Sequence, residues 1–275
     1  MIRVFITLAC AVILSACGSG DSDTPTLDVN FDAQKGRDSA SSLTVVQVES
    51  RGEVDINSQI NAEISEDESF WVSYTATTTQ MVMVKLSSTA EDFELFVYGE
   101  NYYDEWNSSG IDSNELIFFE AQAGETYGIE VWALLGEGAF TLDIAEPSRS
   151  ALGLSSNEYV YQLNEQKSIE CDDGEFSFSD VSNFVINYQD GYLKYWNVDE
   201  LISFSSVDDY TVILRESYSE SEGEESYSAD FNMEFTVNPD TGNISGTEVV
   251  DSVGQHESGP YSCRFESRFD GEILM

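Results

Sequence analysis

The sequence predicts an all-β protein of two consecutive domains, a β-sandwich followed by an antiparallel meander or small barrel. Three observations carry this. Apolar residues recur at every second position in short runs, the spacing of half-buried strands. Clusters of Gly, Ser, Asn and Asp punctuate those runs, and no stretch shows a helical period. The rhythm changes near residue 150, and the later half holds a cysteine pair, Cys171 and Cys263.

The N-terminus comes first. Arg3 precedes an apolar run from Val4 to Leu14, too short for a permanent membrane span but of the length of a secretory leader. Leu14-Ser15-Ala16-Cys17 resembles the lipobox of bacterial lipoproteins. The resemblance implies that residues 1–16 are a signal peptide, that cleavage precedes Cys17, and that its thiol carries diacylglycerol, with a further acyl chain on the new amino group. A plain secretory signal with a chance cysteine is the alternative. Gly18-Ser19 follow, without the Asp that marks inner-membrane retention in that family, which points to the outer membrane. Residues 17–42 read as the lipidated cysteine and a polar tether with little to bury. Within it, Asp28-Val29-Asn30-Phe31-Asp32 starts like an EF-hand loop. Ala33 stands where the turn glycine belongs and Ser39 where the bidentate Glu belongs, so that reading is rejected.

Residues 43–146 form the predicted sandwich. Phe70, Val72 and Tyr74 alternate with Trp71 and Ser73; Met81, Met83 and Lys85 with Val82, Val84 and Leu86; Phe93, Leu95 and Val97 with Glu94, Phe96 and Tyr98. Leu116 to Phe119 is a continuous apolar run. Tyr127, Ile129 and Val131 then alternate with Gly128, Glu130 and Trp132, and Phe140, Leu142 and Ile144 with Thr141 and Asp143. Short strands at this spacing favour a sandwich.

The order Phe70-Trp71-Val72-Ser73-Tyr74-Thr75-Ala76, Val82-Met83-Val84-Lys85-Leu86 and Asp92-Phe93-Glu94-Leu95-Phe96-Val97-Tyr98 resembles the bacterial pre-peptidase C-terminal domain. So do Ala123-Gly124-Glu125-Thr126-Tyr127-Gly128-Ile129-Glu130-Val131 and the closing Gly138-Ala139-Phe140-Thr141-Leu142-Asp143-Ile144. The match spans roughly residues 50 to 145. It implies a jelly-roll-like sandwich that attaches to collagen-like or polysaccharide substrates or assists secretion, with calcium bound in some members. That family usually follows a peptidase domain. None precedes the match here, which leaves a binding or structural module.

Between the third and fourth of these runs, Tyr102, Tyr103 and Trp106 lie among polar residues. They either stack on a sugar or partner surface or cap the sandwich core. Asp104, Glu105 and Asp112 supply the hard oxygen ligands that Ca²⁺ takes, although with 52 acids in the chain such a cluster arises readily by chance.

Residues 150–275 form the second domain. Glu158 to Leu163, Glu175 to Ser179 and Phe184 to Tyr188 read as strands, and Asp190-Gly191 marks a hairpin into Tyr192-Leu193-Lys194-Tyr195-Trp196. Tyr210 to Leu214 follows. Phe231 to Val237 turns at Asn238-Pro239-Asp240-Thr241-Gly242 and returns through Ile244-Ser245-Gly246-Thr247. Arg264 to Phe269 is the late strand, broken by Asp270-Gly271 before Ile273. Ser217 to Ser228 reads as a solvated acidic loop. The cysteine pair predicts a disulfide in an oxidising compartment, tying an early strand to the last as closure of a barrel requires. Periodicity leaves open whether such a barrel is packed or holds a ligand cavity.

Charge and chemistry narrow the function. The formal net charge is −41, and all 52 acids follow the leader. Such a surface repels nucleic acid and anionic lipid headgroups and draws cations or basic partners; it also suits a salty medium. His256 is the only histidine, in what reads as a loop, and no nucleophile elbow, zinc set or phosphate-binding glycine loop accompanies it. The expectation is a non-catalytic envelope lipoprotein that binds a polymer, a protein partner or calcium. A surface hydrolase using His256 and a purely structural component are the alternatives.

Overall fold

In the computed structural model of the protein, residues 24–29, 37–88, 92–99, 105–108, 114–172, 174–196, 201–222, 225–256 and 259–275 are described; at 105–108, 220, 222, 225, 256 and 259 the description is of the backbone alone. All regular structure in them is β. The chain divides into two compact units, Gln34–Ser155 with Met275, and Ser156–Leu274 with the N-terminal residues.

The first unit is a sandwich of ten strands: β1 (Thr44–Val46), β2 (Gly52–Val54), β3 (Ser58–Ile64), β4 (Ser69–Thr75), β5 (Gln80–Ser88), β6 (Asp92–Tyr98), β7 (Glu105–Ser108), β8 (Leu116–Ala121), β9 (Thr126–Leu135) and β10 (Gly138–Ala145). They form two five-stranded sheets, β1-β3-β10-β5-β8 and β2-β4-β9-β6-β7. Pairing is antiparallel except at β1 on β3 and β2 on β4. One phase of each strand supplies the core: Val72 and Tyr74, Val82 and Leu86, Leu95 and Val97, Ile129 and Val131, Leu142 and Ile144 are all almost wholly buried. Period-two patterning therefore builds both inner faces of one apolar layer.

The second unit is a closed eight-stranded barrel: β11 (Glu158–Cys171), β12 (Gly174–Asn187), β13 (Tyr192–Tyr195), β14 (Ile202–Asp208), β15 (Thr211–Glu222), β16 (Glu225–Val237), β17 (Ile244–His256) and β18 (Gly259–Ile273). Consecutive strands pair antiparallel, and β18 closes on β11 from Tyr161↔Ile273 to Cys171↔Cys263. Leu163, Phe184, Leu193, Phe204, Leu214, Phe235 and Phe269 fill the closed part, each no more than slightly exposed. Eight strands enclose a space that side chains can fill, so this part of the interior is packed.

The strands run longer than the sequence pattern shows. Glu175–Ser179 and Phe184–Asn187 belong to one strand, β12, and Tyr188 lies in the turn after it. Of the stretch Ser217–Ser228, residues 217–222 and 225–228 are not loop: they form the arms of β15 and β16, whose pairing runs from Thr211↔Thr236 to Glu222↔Glu225. Backbone ladder bonds outweigh the Ser/Glu composition there, aided by Tyr218 against Tyr227 at 6.0 Å and a Ser217 hydroxyl donating to Asp230 at 2.6 Å. Asp270-Gly271 does not interrupt β18. A Cβ on Gly271 would lie 2.5 Å from Leu163 Cδ2 and 2.5 Å from Ile244 Cγ1, so this glycine serves close packing inside the barrel, not a turn. His256 closes β17 opposite Gly259 and is not in a loop.

Two features of the N-terminal segment bear on the tether. Leu27 donates its N–H to Tyr188 O at 3.0 Å, and Leu27 and Val29 pack against the barrel core. Arg37 exchanges backbone hydrogen bonds with Pro147 and Arg149 and pairs with Glu146. Parts of the segment 17–42 thus lie against folded structure, because its few apolar side chains find partners.

Candidate functional site

The outward face of the sheet β2-β4-β9-β6-β7 carries aromatics where water-facing positions are usually polar. The core phase of β4, β9 and β6 is Phe70/Val72/Tyr74, Tyr127/Ile129/Val131 and Phe93/Leu95/Val97. The opposite phase therefore presents Trp71, Trp132, Phe96 and Tyr98, each half-buried. Register places Trp71 and Phe96 on either side of Glu130, and Ser73 and Tyr98 on either side of Gly128. Trp71 and Tyr98 reach across the intervening strand and stack at 5.2 Å with planes 16° apart. Phe96 continues the row, 6.1 Å from Tyr98 and 17° from parallel. The Tyr98 hydroxyl donates to Glu130 Oε2 at 3.0 Å, which fixes its ring.

Gly128 makes this row possible. A Cβ there would sit 3.2 Å from Trp71 Cζ3. With hydrogen in its place, the indole lies over the strand backbone. Three near-parallel rings on a flat sheet, with a carboxylate beside them, offer apolar faces and hydrogen-bond acceptors together. That combination suits a sugar or a planar side chain more than a smooth apolar surface.

A second cluster lies inside the barrel, where the closed part ends. Glu165, 2% exposed, accepts from Ser182 Oγ at 2.5 Å, Ser267 Oγ at 2.9 Å and Lys167 Nζ at 3.0 Å. Lys167 also pairs with Asp180 at 2.6 Å. Burial works against its ammonium, but Glu165 and Asp180 outweigh that and hold its pKa above the usual lysine value. Glu248, 7% exposed, has one hydrogen bond among the described residues, from the Tyr195 hydroxyl to Oε1 at 3.1 Å. Burial first, and then the charge of Glu165, push its pKa up to about 7, against smaller downward effects of Lys167 and Tyr195. At the other end of the barrel, Tyr161 donates to Gly242 O at 2.7 Å and lies 2.9 Å from the Tyr188 hydroxyl; burial raises both phenols.

Of the residues singled out from sequence, Cys171 and Cys263 are brought together, with an S–S distance of 2.03 Å at the β11–β18 seam. Cys17, Tyr102, Tyr103, Asp104 and Asp112 lie outside the described residues. Glu105 and Trp106 stand in β7 opposite Tyr98 and Val97, with only their backbones described. No group of three or more His, Cys, Asp or Glu side chains among the described residues is arranged to hold a metal ion. Sequence reasoning missed the row Trp71, Phe96 and Tyr98 although its signal was present: aromatics on the solvent phase of strands whose other phase is plainly core. It missed the Glu165–Glu248 cluster because alternation alone does not say which polar residues face inward.

No family model matches the chain, and no curated protein matches it. Among solved structures, the pre-peptidase C-terminal domain of a collagenase from Bacillus anthracis is similar with a TM-score of 0.32 and 13% identity, over 36% of this chain and 98% of that one.

Proposed function

We propose that the chain is a non-catalytic, lipid-anchored protein of the bacterial cell envelope that binds a polysaccharide through its sandwich domain. The observation that supports this most is the row of Trp71, Tyr98 and Phe96, held on the solvent side of three core strands by Gly128 and Glu130. Half-buried aromatics on the outward phase contribute little to the core, which Val72, Leu95 and Ile129 already fill. Stacking against sugar rings is a use that their parallel faces suit. The anchor at Cys17, and outer-membrane placement from Gly18-Ser19, follow from the lipobox resemblance. The high negative charge excludes nucleic acid from the partners.

The test is co-sedimentation of the purified full chain with peptidoglycan, chitin, cellulose and collagen, with calcium and then with chelator. Saturable binding to one glycan is expected, weakened about thirtyfold by Trp71→Ala, the effect of losing a central aromatic anchor worth ~2 kcal/mol. Binding to collagen alone would replace the glycan by a protein partner. Equal binding by wild type and Trp71→Ala would remove the aromatic row from the site.

A further inference from the structure

The barrel has unequal walls. β13 and β14 are 4 and 7 residues long, whereas the other six strands have 12 to 15. β13 pairs with β12 only over Phe184 to Asn187, and β14 pairs with β15 only as far as Leu214. Beyond that level six strands continue as a curved sheet in the order β12-β11-β18-β17-β16-β15. The edges of this sheet, residues 174–182 and 215–222, have no ladder to β13 or β14 among the described residues. The inner face of the barrel thus opens into a trough.

Alternation assigns the lining. Glu248 shares the inner phase with Met233 and Ser267, its cross-strand partners, both wholly buried. The next inward residues along the trough are Ile169, Phe178, Phe231, Val250 and Phe265; Val250 is 8% exposed and the others are half-buried. The charged and titratable groups at its floor come from five strands: Glu165 and Lys167 from β11, Asp180 from β12, Tyr195 from β13, Glu216 from β15 and Glu248 from β17. Lys167 is committed to Glu165 and Asp180, and Glu165 is saturated by three donors. Glu248 is different. It is more than nine-tenths buried, its second oxygen has no donor among the described residues and is not closed off from solvent, and Lys167, which acts on it only at a distance, is bonded to Glu165 and Asp180.

We propose that this trough binds a small organic cation, a primary ammonium on an apolar body, with Glu248 taking the charge and the Phe231, Val250 and Phe265 wall taking the body. Once ionised, a largely buried carboxylate short of donors is costly unless a cation completes it. A bare metal ion is a poorer fit, since no three-ligand set is present among the described residues. An ammonium brings three donors and one charge, and its hydrocarbon covers the half-buried apolar wall. Because Glu248 holds a proton up to about pH 7, affinity rises with pH: the carboxylate is free for the ammonium only once that proton has left.

The test is calorimetric titration of the full chain with hexylammonium, 1-hexanol and hexanoate in 0.5 M NaCl, where diffuse attraction to the acidic surface is screened. Expected are saturable 1:1 binding of hexylammonium, at least tenfold weaker binding of hexanol, and none of hexanoate. Glu248→Gln lowers hexylammonium affinity at least tenfold and leaves hexanol unchanged. Phe231→Ala weakens both, and Glu234→Gln, on the exposed phase of β16, changes neither. Raising the pH from 5.5 to 8.5 tightens hexylammonium only in the chain that keeps Glu248. The proposal is overturned if wild type shows no saturable binding, if hexanol binds as well as hexylammonium, or if Glu248→Gln and Glu234→Gln behave alike. Circular dichroism of each variant, with native spectra required, separates loss of the site from loss of the fold.

Discussion

At the scale of single residues, Glu248 has the clearest energetic signature. Its carboxyl ionises around pH 7 in the folded protein, because it is buried beside Glu165, and near the ordinary 4.5 once the chain unfolds. Between those values the folded state holds a proton that the unfolded state has released. Stability therefore falls as pH rises from about 4.5 to 7, and the full cost of the ionised group is present above that range. The pKa difference corresponds to about 3 kcal/mol, an upper figure for a charge-coupled site. Glu248→Gln keeps an acceptor for Tyr195 and removes the charge. It is expected to raise Tm at pH 8 and to leave Tm nearly unchanged at pH 4.5, a comparison that thermal melts at the two pH values make directly. Equal shifts at both would mean that Glu248 is not the titrating group.

At the scale of elements, turn chemistry and strand pairing separate what the sequence shows from what it hides. The β14–β15 connection is a two-residue turn, Asp209 and Tyr210, with φ of 41° and 69°. Both lie in the left-handed region, where Asn or Gly is favoured and a bulky residue costs about 1 to 2 kcal/mol. Tyr210 is 39% exposed, so its ring recovers little. Tyr210→Gly is expected to stabilise the barrel by roughly 1 kcal/mol after the entropy glycine adds to the unfolded chain, a rise of a few degrees in Tm. The other turns were legible: Asp190-Gly191, with Gly191 at φ 70°, and Asn238 to Gly242, where Asn238 Oδ1 accepts from Asp240 and Thr241. The alternating cores of β4, β6 and β9 were legible too, as was the disulfide at the barrel seam. Strand length was not. The Ser/Glu arms of β15 and β16 owe their order to ladder bonds with partners remote in sequence or across a hairpin, which composition does not record. The candidate sites were half-legible for the same reason. Trp71, Phe96 and Tyr98 stood on the outward phase in plain view, but only register shows that they meet over Gly128.

At the scale of the whole molecule, the acidic surface sets the conditions under which the two proposed sites would work. A formal charge of −41 on 275 residues means that carboxylates repel across most of the surface, while only 11 Lys and Arg relieve them. Arg264 with Asp251 is such a relief, and an exposed pair of this kind contributes little. Self-repulsion is weaker in the expanded chain, so it destabilises the compact state, and salt removes it over a Debye length that shrinks to about 3 Å at 1 M. The folded protein is therefore expected to gain Tm steadily as NaCl rises from about 10 mM to 1 M, with potassium and sodium chloride equivalent because the effect is screening. Calorimetry across that range is the check, and a flat response would show that the acids are spaced widely enough not to interact. The same series distinguishes the two sites. An aromatic row stacking on neutral sugar loses little affinity in salt. On the proposed reading of the barrel, an ammonium held by Glu248 against an apolar wall is expected to lose less affinity in salt than one held by exposed acids. On both proposals, high salt is expected to stabilise the fold and to weaken diffuse attraction to the surface more than binding at either proposed site.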